Sequence, residues 1–173
     1  MPTGLPKTGR ADFADLRRLE PDSPKVAELK GLCRDQDRLI QSQTRLVNQL
    51  TACLKACYPI ALQLFSKLQQ RSALIFLQTY PTPEQAMKAS DEQIAQVLKQ
   101  AGHPTAKIVA PKIVEALHQP QLQADSIMTR TKSRLILALI AQLLPLAEQI
   151  AKYDKDRQNL SFASQHDSAL QAS

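Results

Sequence analysis

Pairs of apolar residues recur every seven positions through one uninterrupted stretch: Leu32/Cys33, Leu39/Ile40, Leu46/Val47 and Cys53/Leu54. Seven residues make nearly two turns of α-helix, so these pairs line one side of a rod. Leu29 and Leu50 widen the stripe. Gln36 and Gln43 fall on the same seam, where a polar side chain fixes register at some cost in stability. Asp22 or Ser23 is placed to cap the helix, with Pro24 at its first position and Glu28 in its first turns. Pro59 forbids a smooth continuation, so the helix should end near Cys57. About 34 residues in helix give a rod of roughly 50 Å. A rod of this kind cannot bury its seam on itself and needs a partner helix.

The partner is expected near the other end of the chain. From Arg134 to Tyr153 the apolar residues Ile136, Leu139/Ile140, Leu143, Leu146/Ala147, Ile150 and Tyr153 repeat the three-four spacing. Each large apolar side chain buried in such a seam contributes about 1.5–3 kcal/mol. An antiparallel pair of long helices is the economical arrangement, and a homodimer could extend it. A compact cap of shorter helices lies between them. Pro59 to Thr79 reads as one helix with Leu62, Phe65, Leu68, Leu74, Ile75 and Leu77 as core. Thr82 is placed to cap a helix that starts at Pro83, and Ser90 opens another with Ile94, Val97 and Leu98 inward. Gly102 suits a left-handed helix end, and Thr105 to Gln119 forms a further helix closed by Pro120. Met1 to Arg10 reads as an irregular leader, Ala11 to Leu19 as a short helix, and Asn159 to Ser173 as a disordered tail without helical period.

Composition supports this all-α reading. Four glycines and 4% aromatics are too few for a sandwich or barrel. Abundant Ala, Leu, Gln, Lys and Arg lose little rotamer freedom in a helix. The net charge of +6 makes polyanions plausible partners. Its excess is concentrated in residues 1–71, which hold 12 Lys and Arg against 7 Asp and Glu. Cys33, Cys53 and Cys57 lack bridging or zinc spacing and read as free thiols of a cytoplasmic protein. The run Leu135 to Ala147 is too short to span a bilayer, so a soluble protein is expected.

No phosphate-binding glycine loop, zinc-protease motif or nucleophile elbow occurs in the sequence. His103, His118 and His166 are isolated and read as structural or solvated. The one acidic constellation is Asp12 and Asp15, three residues apart and so on one helical face. Carboxylates so placed can hold Mg²⁺, although two acids in a first helical turn also answer the helix dipole without any metal.

The segments KTGRAD (from Lys7), EPDSPKVAELKGLCRDQDRLIQSQTRLVNQLTACLKACYPIALQLF (from Glu20) and FLQTYPTPEQAMKASDEQIAQVLKQAGH (from Phe76) together resemble the "IS one-ten" family of insertion-sequence transposases, relatives of the Piv invertases. The resemblance covers roughly Lys7 to Asp156. It implies a RuvC-like DEDD domain followed by a long-helix region, with DNA strand cleavage and exchange as the activity. It also implies Mg²⁺ held by four acids, a serine nucleophile from a C-terminal domain, a structured guide RNA, and assembly as dimers and tetramers. Residues 1–22 are then the remnant of the end of the DEDD domain, 23–158 the helical linker and dimerisation region, and 159–173 the tail. Matching a KTDxxDA-like motif to Lys7–Phe13 puts Asp12 on the final metal-binding aspartate and Gly9 where its partner should stand. A shifted reading pairs Asp12 with Asp15 instead. Asp12 and Asp15 are therefore the catalytic candidates and Asp12 the metal candidate, while Arg17, Arg18, Arg34, Arg38 and Arg45 are the nucleic-acid candidates. The expectation is a truncated copy, inactive by itself and not binding Mg²⁺ alone. The alternative is a helical interaction module that forms mixed dimers with, and inhibits, an intact relative.

Overall fold

A computed structural model describes residues 22–122 and 124–171. The expected leader, the helix expected over 11–19, and Asp12, Asp15, Arg17 and Arg18 lie outside the described residues. The described residues form seven helices and no strand: α1 Pro24–Cys57, α2 Ala61–Leu64, α3 Arg71–Thr79, α4 Pro83–Met87, α5 Asp91–Gln100, α6 Ala106–Leu117 and α7 Ser126–Gln171.

The heptad stretch is a single 34-residue helix, as its period requires. Of the two capping candidates, Ser23 takes the cap: its hydroxyl accepts from the Val26 N–H at 3.4 Å. Asp22 instead pairs with Lys30 at 2.5 Å. Pro24 occupies the first position, where its missing N–H removes no helical bond.

α1 packs along α7, and the two run antiparallel. Gln36 of α1 meets Asp154 and Arg157 of α7, whereas Cys57, twenty-one residues further along α1, lies near Lys132. The seam is driest toward Cys57. Leu50, Leu54, Ile136, Ile140 and Leu143 are sealed from solvent there, with Cys53, Cys57 and Leu139 nearly so. Further from the cap, Leu32, Cys33, Leu39, Leu46 and Val47 are only half-buried, and Ile40 is 41% exposed.

The cap of α2 to α6 closes the dry end. α3 lies against α7 and α5, α5 pairs with α6, and α4 rests on α6. Its turns are set locally as the sequence requires. Thr82 accepts from the Gln85 N–H, and Ser90 and Gln93 form a reciprocal capping box. Gly102 follows α5 at φ 84°, a left-handed position that glycine adopts without strain.

Three expectations are corrected. Pro59 to Thr79 is two helices, because the chain turns extended at Phe65 and re-enters helix at Arg71. The turn carries Phe65 and Leu68 into the core, with the Phe65 ring 5.2 Å from that of Phe76. Second, α7 does not stop near Arg157 but continues to Gln171. The Gln-, Ser- and Ala-rich sequence there needs no new nucleation, since each residue only extends a helix already formed. Third, α7 contains a stretch of mean hydropathy 1.5 in a helix long enough to cross a bilayer, so length does not exclude a span. Ile136, Leu139, Ile140 and Leu143 in this helix are covered by protein, while Ile127, Met128, Leu135 and Leu137 are exposed.

Candidate nucleic-acid interface

A helix advances 100° per residue, which separates the two sides of α1 sharply. Gln36, Leu50 and Leu54 are buried on the side toward α7. Arg34, Arg38 and Arg45 fall within an arc of about 40° on the opposite side, and all three are exposed. Their heights along the axis differ by about 6 Å from Arg34 to Arg38 and about 17 Å from Arg34 to Arg45. Ala27, Ala52 and Ala56 share the arc and Gln41 and Asn48 border it, so the stripe is cationic, polar and small, with no bulky apolar residue.

The charges on this stripe are largely uncompensated. Arg38 faces Asp35 at 3.7 Å, a loose pair with side chains 79% and 55% exposed. Contacts this exposed are screened and contribute little, so Arg38 stays available to a polyanion. Among the described residues, no carboxylate pairs with Arg34 or Arg45. Of the five arginines singled out from the sequence, the structure therefore places three on one outward face, while Arg17 and Arg18 lie outside the described residues.

Sequence reasoning passed over Arg130 and Arg134, exposed one turn apart at the start of α7. The antiparallel register brings them to the same end of the rod as Lys55. Their i, i+4 spacing was the available signal, hidden by attention to the apolar period that follows. Reasoning from sequence also missed Asp154 and Arg157 as the partners of Gln36.

The acids named as Mg²⁺ candidates, Asp12 and Asp15, lie outside the described residues. None of the described His, Cys, Asp and Glu side chains gather in a group of three or more able to hold a metal ion. His118 is occupied within its own helix, its Nδ1 2.8 Å from the Val114 carbonyl oxygen. Among the described residues, burial raises the Tyr80 hydroxyl in the cap and two groups at the buried end of α1. Burial pushes the Tyr58 hydroxyl well above its ordinary value, and burial, reinforced by Cys53, pushes the Cys57 thiol up. Both groups are held neutral inside the core, which suits packing and not nucleophilic chemistry.

Residues 5–59 match the family model described as Transposase, of the DEDD IS110 type. This stretch contains the whole of α1, including its outward arginines. No curated protein and no solved structure matches the chain.

Proposed function

We propose that this chain, which carries IS110-type DEDD transposase sequence over residues 5–59, serves DNA transposition in the cytoplasm as a helical unit that touches nucleic acid along the outer face of α1. The observation that carries the reading is the stripe of Arg34, Arg38 and Arg45, exposed and turned away from α7, within the matched stretch. Three cations along about 17 Å of helix suit phosphates on DNA or on a structured guide RNA. Such contacts position a nucleic acid without reading its sequence. Binding should weaken steeply with salt, each phosphate contact contributing a slope of about 0.9 in log K against log salt on duplex DNA. Affinity that is indifferent to salt between dilute and physiological buffer would sink the phosphate-contact reading.

Strand cleavage is a separate matter. By the resemblance, the family's metal-binding acids carry over to Asp12, with Asp15 beside it, while Gly9 stands where the second acid should be. The purified chain is therefore expected to release no product from supercoiled or linear DNA with Mg²⁺ present. A reproducible cleavage product that Asp12→Ala abolishes would overturn that expectation.

The second half of the proposal concerns assembly. Leu146, Tyr153 and Leu160 repeat every seven residues on α7 and are only half-buried, as are Leu32, Leu39 and Leu46 on α1. A half-covered heptad stripe on both helices favours a further helix, from a second copy of this chain or from another transposase of the family in a mixed dimer. Sedimentation of the chain alone and mixed with such a relative distinguishes them. A monomer in both cases would remove this part of the reading.

A further inference from the structure

Gln36 is the most deeply buried polar side chain described, at 1% exposure. Its amide nitrogen donates to Asp154 Oδ1 at 2.6 Å, and its amide oxygen accepts from the Arg157 guanidinium. A glutamine suits this place because one neutral group offers a donor to the carboxylate and an acceptor to the guanidinium. Both partners project from consecutive turns of α7, so Gln36 is held from one side by a fork of opposite charges.

Gln36 is an isolated point of burial: no residue of α1 from Asp37 to Gln49, and none of α7 from Leu144 to Arg157, is fully buried. Near the cap the seam is sealed hydrocarbon, from Leu50 and Leu54 to Ile136, Ile140 and Leu143. On the far side, no residue of α1 from Pro24 to Asp35 is fully buried, nor is any residue from Gln158 to His166. Leu29 and Cys33 border a small cleft with Asp154, Arg157, Gln158 and Ser161, about 230 Å³ in volume. Helix segments that bury little apolar surface open at low free energy, whereas the sealed part opens only with the core. Outside the fork, the amide, carboxylate and guanidinium can each be rehydrated when the helices part, so the contact can break and reform without stranding a buried charge.

We propose that Gln36, Asp154 and Arg157 form a polar latch that clasps the half-covered part of the two-helix rod, so that this part opens and closes while the cap and the dry seam stay folded. Opening uncovers α1 from about Leu29 to Gln36 and the facing turns of α7.

The three native cysteines report on the latch in the full chain. Cys33 is half-buried beyond the latch, whereas Cys53 and Cys57 are buried in the dry seam. Thiol labelling with a maleimide, resolved by peptide mass, reads all three rates in one sample. Gln36→Ala removes the fork's ligand and should speed labelling of Cys33 by about tenfold, the factor expected for one lost buried hydrogen-bond partner, with Cys53 and Cys57 unchanged. Arg157→Met leaves the Gln36 oxygen unpaired and should act in the same direction. Gln36→Leu extends the apolar seam through the latch position and should slow Cys33 below the unmodified rate, which guards against reading simple loss of folding as latch opening. Equal acceleration of all three thiols in Gln36→Ala, or acceleration of Cys33 in Gln36→Leu, would show a rod that opens as one unit and would overturn the proposal.

Discussion

The two ends of the α1–α7 rod share one heptad pattern and differ in what covers it. Near the cap, Leu54 has no solvent exposure and shares a core cluster with Ile136, Leu139 and Ile140. At the other end, Leu32 stands in the equivalent repeat but is only half-buried. The seven-residue spacing is the same at both places. The difference lies in α2 to α6, which close one end only. A heptad stripe therefore says where a helix offers apolar surface, and neighbouring elements decide how much of it becomes stability.

The largest test of that contrast is a pair of truncations. Leu54→Ala should cost about 2–5 kcal/mol because it opens a cavity in a sealed core. Leu32→Ala should cost less than about 1.5 kcal/mol, since water already reaches the site. Urea unfolding of both variants measures the difference, and similar losses would erase the distinction between the two ends.

A smaller effect belongs to the cap end alone. Tyr58 is fully buried, and its hydroxyl has no hydrogen-bond partner among the described residues. Tyr58→Phe should therefore leave stability unchanged or raise it by about 1 kcal/mol. Alkaline titration checks the same region. The folded-state values of Cys57 and Tyr58 are raised above their ordinary 9.0 and 10.0. Their contribution to stability is thus complete below about pH 9 and is lost progressively as pH rises beyond it, because the unfolded chain ionises first. Thermal midpoints that hold level from pH 9 to 11 would contradict the burial of both groups. The smallest effect is expected from Arg71→Ala. Its 2.8 Å pair with Glu148 ties α3 to α7, but both side chains are more than half exposed, so the loss should be under about 1 kcal/mol and fade with salt.

Much of this fold was legible because its signals are local. The heptads of α1, Pro24 at its start, Thr82 before Pro83, the Ser90–Gln93 box and Gly102 each act within a turn or two of their own position. The break between α2 and α3 was not legible. Nothing local forbids helix from Phe65 to Gln70, and the chain turns there so that Phe65 and Leu68 can reach a core assembled from distant residues. The run of α7 to Gln171 was missed for the opposite reason: a helix already nucleated needs no apolar period to continue. Of the candidate interface, Arg34, Arg38 and Arg45 were visible as cations, but their common outward direction followed only once α7 was known to occupy the other side of α1. Gln36 was recognisable as a polar interruption of the seam, while its partners, more than a hundred residues away, were not.

The central claim is that nucleic acid lies along the outer face of α1, and two triple variants of equal charge change test it directly. Arg34, Arg38 and Arg45 are replaced by glutamine in one, and the exposed Lys88, Lys99 and Lys107 of the cap in the other. Fluorescence anisotropy with duplex DNA and with structured RNA is followed across salt concentration. The arginine triple should bind at least about tenfold more weakly in dilute salt and lower the salt slope by about 2–3, while the lysine triple should stay within about twofold of the unmodified chain. Equal losses in both triples, or an arginine triple that binds as the unmodified chain does, would contradict that claim.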